Sequence, residues 1–184
     1  MISPILVGER IAQREHVYSE AVPSFENALR TVNAMKEAGV ISEYAVAGGM
    51  AQAFWVEAVA TYDLDVLVAL PQPDGIIVSL SAIYDWAKDR GFATGGEHVV
   101  IGDIPVQFLV SPGPLSDEAI EQAATLRFGG TDVRVVRPEY LIAMYLHGSA
   151  RTRQRRERAA VLRDNAGIDE SLLHELMQRF SLEF

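Results

Sequence analysis

The chain has 184 residues, of which 49% are apolar, 25 are acidic, 16 are basic and none is cysteine, for a net charge of −9. These values exclude a wholly disordered chain, disulfides and thiolate metal sites, and they argue against broad non-specific nucleic-acid binding. No apolar run reaches a membrane span, and the start lacks the basic n-region and apolar core of a secretory signal. A cytoplasmic protein with no membrane partner is therefore expected.

Residues 1–15 are polar and without periodicity and read as an arm. After Pro23-Ser24, the residues Phe25, Ala28, Leu29, Val32 and Met35 recur at helical spacing, and Gly39 is placed to end that helix. Residues 44–47 read as a short strand, Gly48-Gly49 as a tight turn, 50–59 as a largely apolar helix and 61–70 as a central strand. The run 71–75 breaks that strand, and 76–90 is an amphipathic helix closed by Gly91. Residues 98–101 and 104–111 are strands joined by Gly102-Asp103, a pair that suits a type II′ hairpin. A helix over 115–126 carries Asp117 and Glu118 at its positive end, and 131–136 is a further strand. Three helices follow over 138–146, 153–163 and 171–180, with Gly148-Ser149 the one linker-like break. This order predicts an α+β chain in which a small mixed sheet is flanked by helices. It divides into an α/β domain over 1–136 and a C-terminal helical subdomain over 137–184 packed on it.

The stretch from Gly48 to Asp65 carries the chemistry. On a strand, Asp63 and Asp65 share one face while Leu64, Val66, Val68 and Leu70 take the other. Two carboxylates side by side call for a cation between them, and hard oxygen ligands suit magnesium or manganese. The same pattern also occurs on a solvated sheet edge. Gly48 and Gly49 let the backbone approach a ligand closely and leave the amides of a helix N-terminus open to phosphate. An ordinary strand-to-helix turn would use the same pair. Thr61 has the parity to face the carboxylates and orient one of them or a phosphate, and it is equally a routine strand residue. His147 and His174 have no metal-ligand spacing with other candidates.

Taken together, the glycine turn, the helix and the strand bearing Asp63 and Asp65 resemble the fingerprint of the nucleotidyltransferase superfamily of the DNA polymerase β type. More narrowly, Ala47-Gly48-Gly49-Met50-Ala51 through Asp65 is similar to bacterial nucleotidyltransferase-like proteins that include the AbiEii-type toxins. The segment from Val135 to Ala143, followed by an arginine-rich helix, is similar to their second half, so the resemblance spans residues 40–165. It implies a nucleotidyltransferase-like sheet and a reaction in which two metal ions grip a nucleoside triphosphate. Asp63 and Asp65 would be the metal ligands and catalytic carboxylates, and Gly48 and Gly49 would hold the triphosphate. The acceptor would be a protein, a tRNA end or a small molecule, and an antitoxin would be a partner.

The chain departs from that pattern at the third carboxylate, where Gln107 stands. Glutamine offers a carbonyl oxygen but neither negative charge nor a useful proton acceptor. If Gly102-Asp103 is a two-residue loop, Ile101 pairs with Ile104 and His98 falls opposite Gln107, on its face. His98 can there serve as a base or phosphate contact, or be no more than an edge-strand histidine. Asp103 is a turn residue first. Met144 stands where relatives carry a lysine, and Gln154-Arg155 where they carry a Lys-Asp pair, so no role is carried over to them.

Six of the 16 basic residues crowd into one segment: Arg151, Arg153, Arg155, Arg156, Arg158 and Arg163. Within it Arg153 and Arg156 are the candidate triphosphate contacts, against the reading of a solvated face balanced by Glu157. Two functions follow. One is metal-dependent transfer of a nucleotide from an NTP to an acceptor. The other is a degenerate relative that binds a nucleotide or a partner without turnover.

Overall fold

The computed structural model describes residues 21–56, 61–71, 79–147 and 152–184. The arm over 1–15, the helix end over 57–59, the breaker over 72–75, the helix start over 76–78, the Gly148-Ser149 break and Arg151 lie outside them.

The first described helix, α1 (Ala21–Glu37), buries Phe25, Ala28, Leu29, Val32 and Met35, the stripe its periodicity marks out. It is followed by β1 (Glu43–Val46), α2 (Gly48–Trp55), β2 (Leu64–Ala69) and α3 (Ser81–Asp89). Next come β3 (Ala93–Gly95), β4 (His98–Ile101), β5 (Ile104–Val110), α4 (Pro114–Glu121), β6 (Ala124–Phe128) and β7 (Thr131–Val135). The chain closes with α5 (Pro138–Leu146), α6 (Arg153–Asn165) and α7 (Glu170–Arg179).

The strands form one seven-stranded mixed sheet in the order β3-β4-β5-β2-β1-β7-β6. The β1–β2 pair is antiparallel and the β2–β5 pair parallel, while β4–β5 and β6–β7 are antiparallel hairpins. This agrees with the expected α+β class. Leu64, Val66 and Val68 of β2 are fully buried, as are Val99 and Ile101 of β4 and Val106 of β5, so the alternation of each strand fixes its core face.

Several elements differ from the sequence expectation. Gly48 and Gly49 form the first turn of α2 rather than a turn ahead of it. The central strand starts at Leu64, which leaves Thr61 and Asp63 in its lead-in. The helix expected over 115–126 stops at Glu121, and Ala124–Phe128 pairs with β7. In that segment Thr125 and Arg127 are exposed and Phe128 is buried, so an alternating surface beside the Gly129-Gly130 turn overrides a weak helical stripe. The edge strand β3 was not expected, and its presence puts β4 and His98 one strand inside the sheet.

The three C-terminal helices fall where their patterns put them. α5 buries nearly all of its residues, from Pro138 to Leu146, because it packs against α2 and α4 as well as α6 and α7. α6 is capped by Thr152, whose hydroxyl accepts from the Arg155 amide at 3.2 Å. Asp169 caps α7 through the amides of Ser171 and Leu172. Among the described residues no helix is long and apolar enough to cross a membrane.

Candidate functional site

The sheet registers gather the site. β1 and β2 pair Val46 with Val66, and the Ala47 amide donates to the Asp65 carbonyl at 2.8 Å, so the chain enters α2 directly beside Asp65. Gly48 then sits against that side chain: its φ is +59°, and a β-carbon there would overlap Oδ2 of Asp65. Gly49 is close to Thr61 in the same way, with a β-carbon falling 2.9 Å from Oγ1. The Thr61 hydroxyl donates to Oδ1 of Asp63 at 2.8 Å and so holds that carboxylate in place ahead of the strand.

Across the sheet, parallel pairing sets Asp65 beside Gln107, and the β4–β5 hairpin sets Gln107 beside His98. In-register neighbours project to the same face, so Gly48, Asp65, Gln107 and His98 form a row across four adjacent chain segments. The hairpin register is the one the two-residue Gly102-Asp103 loop predicts. Gln107 has a further partner, donating through Nε2 to Oε2 of Glu97 at 3.0 Å, in the turn between β3 and β4.

An open cleft of about 430 Å³ adjoins this row, lined by Thr61, Tyr62, Asp63, His98, Pro105 and Arg158. Arg158 reaches it from α6 and lies near enough to Tyr145 to act on its hydroxyl electrostatically, while that hydroxyl donates to the Gly48 carbonyl at 3.2 Å. Burial holds Tyr145 above the ordinary phenol range, with Arg158 pulling the other way. The helices after β7 thus contact the glycine turn through the Tyr145 side chain.

The Asp65 carboxyl is raised above its ordinary range chiefly by burial and then by the charge of Asp63, while Arg158 and His98 draw it back. Its carboxylate takes no hydrogen bond from any described residue. A half-buried acid beside a second acid is therefore offset, among the described residues, only by groups that do not hydrogen-bond it. Among the described residues no three His, Asp or Glu side chains converge closely enough to hold a metal by themselves. Magnesium characteristically takes one or two protein carboxylates and completes its shell with water and substrate phosphate, and Asp63 with Asp65 fits that donor set.

The two arginines singled out from the sequence do not reach the cleft. Arg153 is 94% exposed and pairs with Glu157 at 2.7 Å, and Arg156 is exposed as well. The face of α6 turned inward carries Arg155, Arg158, Ala159 and Leu162. Arg155 donates to the Met144 carbonyl at 3.2 Å and lies 6.0 Å from the centre of the Tyr145 ring, which leaves Arg158 at the cleft. The signal for it was present in the sequence: Ala159 and Leu162 mark the apolar stripe, and Arg155 and Arg158 each stand four residues before one of them. Trp55, at the end of α2, is partly buried and donates through Nε1 to the Val136 carbonyl at 2.8 Å.

No family model matches the chain, and no curated protein matches it. Solved structures do. The crystal structure of an antigenic nucleotidyltransferase-like protein from Paracoccidioides brasiliensis aligns with a TM-score of 0.52 at 12% identity, covering 85% of this chain and 87% of that one. The solution structure of the antibiotic-resistance factor ANT(2'')-Ia aligns with a TM-score of 0.54 at 16% identity, covering 89% and 92%. Identities this low carry the fold alone. The chain has a nucleotidyltransferase-like fold.

Proposed function

We propose that the chain transfers a nucleotide from a nucleoside triphosphate to a hydroxyl-bearing acceptor, with a magnesium or manganese ion held by Asp63 and Asp65. The observation that carries this reading is the row Gly48–Asp65–Gln107–His98 beside the Arg158 cleft. In it a partly buried carboxylate, taking no hydrogen bond from any described residue, lies within electrostatic reach of Arg158. When bound, the metal supplies charge neutralisation at the phosphates. Gly48 and Gly49 offer backbone at close approach, and Arg158 offers a guanidinium to the triphosphate. In the step itself the acceptor oxygen bonds to the α-phosphorus, the bond from that phosphorus to the bridging oxygen breaks, and pyrophosphate leaves. The hydroxyl proton passes to His98, which stands next to Gln107.

At a finer level, the resemblance to AbiEii-type proteins supports a cytoplasmic toxin with an antitoxin partner and a protein, tRNA or small-molecule acceptor. The division at residue 136 belongs to the same reading, with the helices after it closing one side of the site. Incubation with labelled NTPs and magnesium or manganese tests the activity. Pyrophosphate release that disappears in Asp65→Ala is expected, and its absence from wild type under both metals would sink the enzymatic reading.

A second reading is favoured by Gln107, which donates to Glu97 where a third carboxylate would otherwise lie beside Asp65. A protein so altered would bind a metal–nucleotide complex without turnover. Turnover that appears only in Gln107→Asp would identify this case.

A further inference from the structure

Tyr62 is 83% exposed, whereas the other exposed large apolar side chains among the described residues, Val161 and Phe184, are 41% and 44% exposed. A tyrosine so placed contributes little to packing, and its neighbours explain its position better. It lies between Thr61 and Asp63, on the wall of the cleft that Pro105, His98 and Arg158 also line. Along that wall lie a phenol ring, a proline ring and an imidazole, beside the charged groups of Asp63 and Arg158. A planar ring joined to an anionic chain is the ligand that satisfies both halves. Its anionic end would meet Arg158 and a cation on Asp63, and its ring would lie on Tyr62.

We infer that Tyr62 is the stacking platform for the nucleobase, and that it makes purine nucleoside triphosphates the preferred substrate class over pyrimidine ones. The inference rests on the proposed function and adds the choice of nucleotide to it. Stacking on an aromatic face reads ring area and not the hydrogen-bonding edge. The larger purine ring system therefore gains more than a pyrimidine, and adenine and guanine gain alike. Tyr62 is a positioning residue here, since it meets the base and not the reacting phosphorus.

The test is equilibrium titration of the full chain, in magnesium, with α,β-methylene analogues of ATP, GTP, CTP and UTP, and with inorganic triphosphate as the ring-free control. Wild type is expected to bind the two purine analogues several-fold more tightly than the two pyrimidine ones. Tyr62→Ala should weaken the purine analogues by roughly 5- to 100-fold, the range that stacking of one base is worth, and Tyr62→Phe should retain them. Inorganic triphosphate should bind wild type and Tyr62→Ala alike. Because the side chain is exposed, the alanine variant is expected to melt with wild type, which separates lost stacking from lost fold. Purine binding unchanged in Tyr62→Ala, an equal loss for inorganic triphosphate, or no purine preference in wild type would each overturn the inference while leaving nucleotide transfer standing. Wild type that binds none of the four analogues would instead remove the proposed function, and the inference with it.

Discussion

Gly48 and Asp65 are fitted to one another: the space a β-carbon on Gly48 would need is filled by the Asp65 carboxylate. Gly48→Ala meets two obstacles, a left-handed backbone that disfavours a side chain by about 1–2 kcal/mol and a collision with Oδ2 of Asp65. Gly39, at φ +70° with nothing within 4 Å of its would-be β-carbon, separates the two effects. Gly39→Ala should lower Tm and leave metal-dependent nucleotide binding intact. Gly48→Ala should lower Tm further and abolish that binding, as thermal melts and nucleotide titrations would show. Equal behaviour of the two variants would refute a role for the close approach.

Asp65 stands against stability in the metal-free protein. Burial and the neighbouring Asp63 raise its carboxyl, so the folded state holds a proton more tightly than the unfolded one, and stability falls as pH rises through that window. Asp65→Asn removes the charge in a side chain of similar shape. In EDTA at neutral pH the variant should melt above wild type, and the gap should close as pH falls below the ordinary carboxylate range, where wild-type Asp65 is protonated as well. Nucleotide transfer should fall by at least about 10²-fold, the scale for losing one electrostatic contact at a reacting centre. Melts of both proteins from acid to neutral pH check the sign.

Which arginine serves the cleft can be settled by comparison. Arg158→Ala should weaken binding of the triphosphate by roughly 10- to 100-fold, as expected when a charged hydrogen bond of about 1.5–3 kcal/mol is lost. Arg153→Ala and Arg156→Ala remove side chains that point to solvent, and should leave that affinity unchanged. Titration of the three variants with the same nucleotide would decide it, and a loss confined to Arg153 or Arg156 would contradict the geometry.

The sequence made some of this legible because local rules were strong where they applied. A two-residue Gly102-Asp103 turn determines its hairpin register, and with it the pairing of His98 with Gln107. Pro138, two residues ahead of the apolar run from Tyr140 to Leu146, marks α5 in the same way, since proline suits the first helical turn. Other features depend on neighbours distant in sequence. Ala119, Ile120, Ala123 and Leu126 continue a helical stripe on paper, and only pairing with β7 turns the last part into a strand. The three residues of β3 have no buried face and become a strand by hydrogen-bonding to β4. Glu97 lies ten residues before Gln107 in the chain and becomes its partner only once the β3–β4 turn folds over. Arg158 was one of six arginines until α5 determined which face of α6 turns inward.

The anchorage of α7 gives a pH dependence of the opposite sign to that of Asp65. Oε2 of Glu118 on α4 accepts from Arg179 on α7 at 2.7 Å, and Oε1 accepts from the Tyr140 hydroxyl of α5 at 2.8 Å. The Arg179 hydrogen bond, reinforced by Tyr140, holds the Glu118 carboxyl below its ordinary range. A lowered carboxyl stabilises the fold above its unfolded-state value, and that contribution is lost as pH falls through the folded-state value. Glu118→Gln should therefore melt below wild type at neutral pH, and the difference should shrink as pH falls beneath the ordinary glutamate range. Amide hydrogen exchange over α7 should rise in the variant at neutral pH and match wild type in acid. Because Glu118 does not line the cleft, nucleotide affinity at neutral pH should be unchanged, which distinguishes this anchor from the site itself.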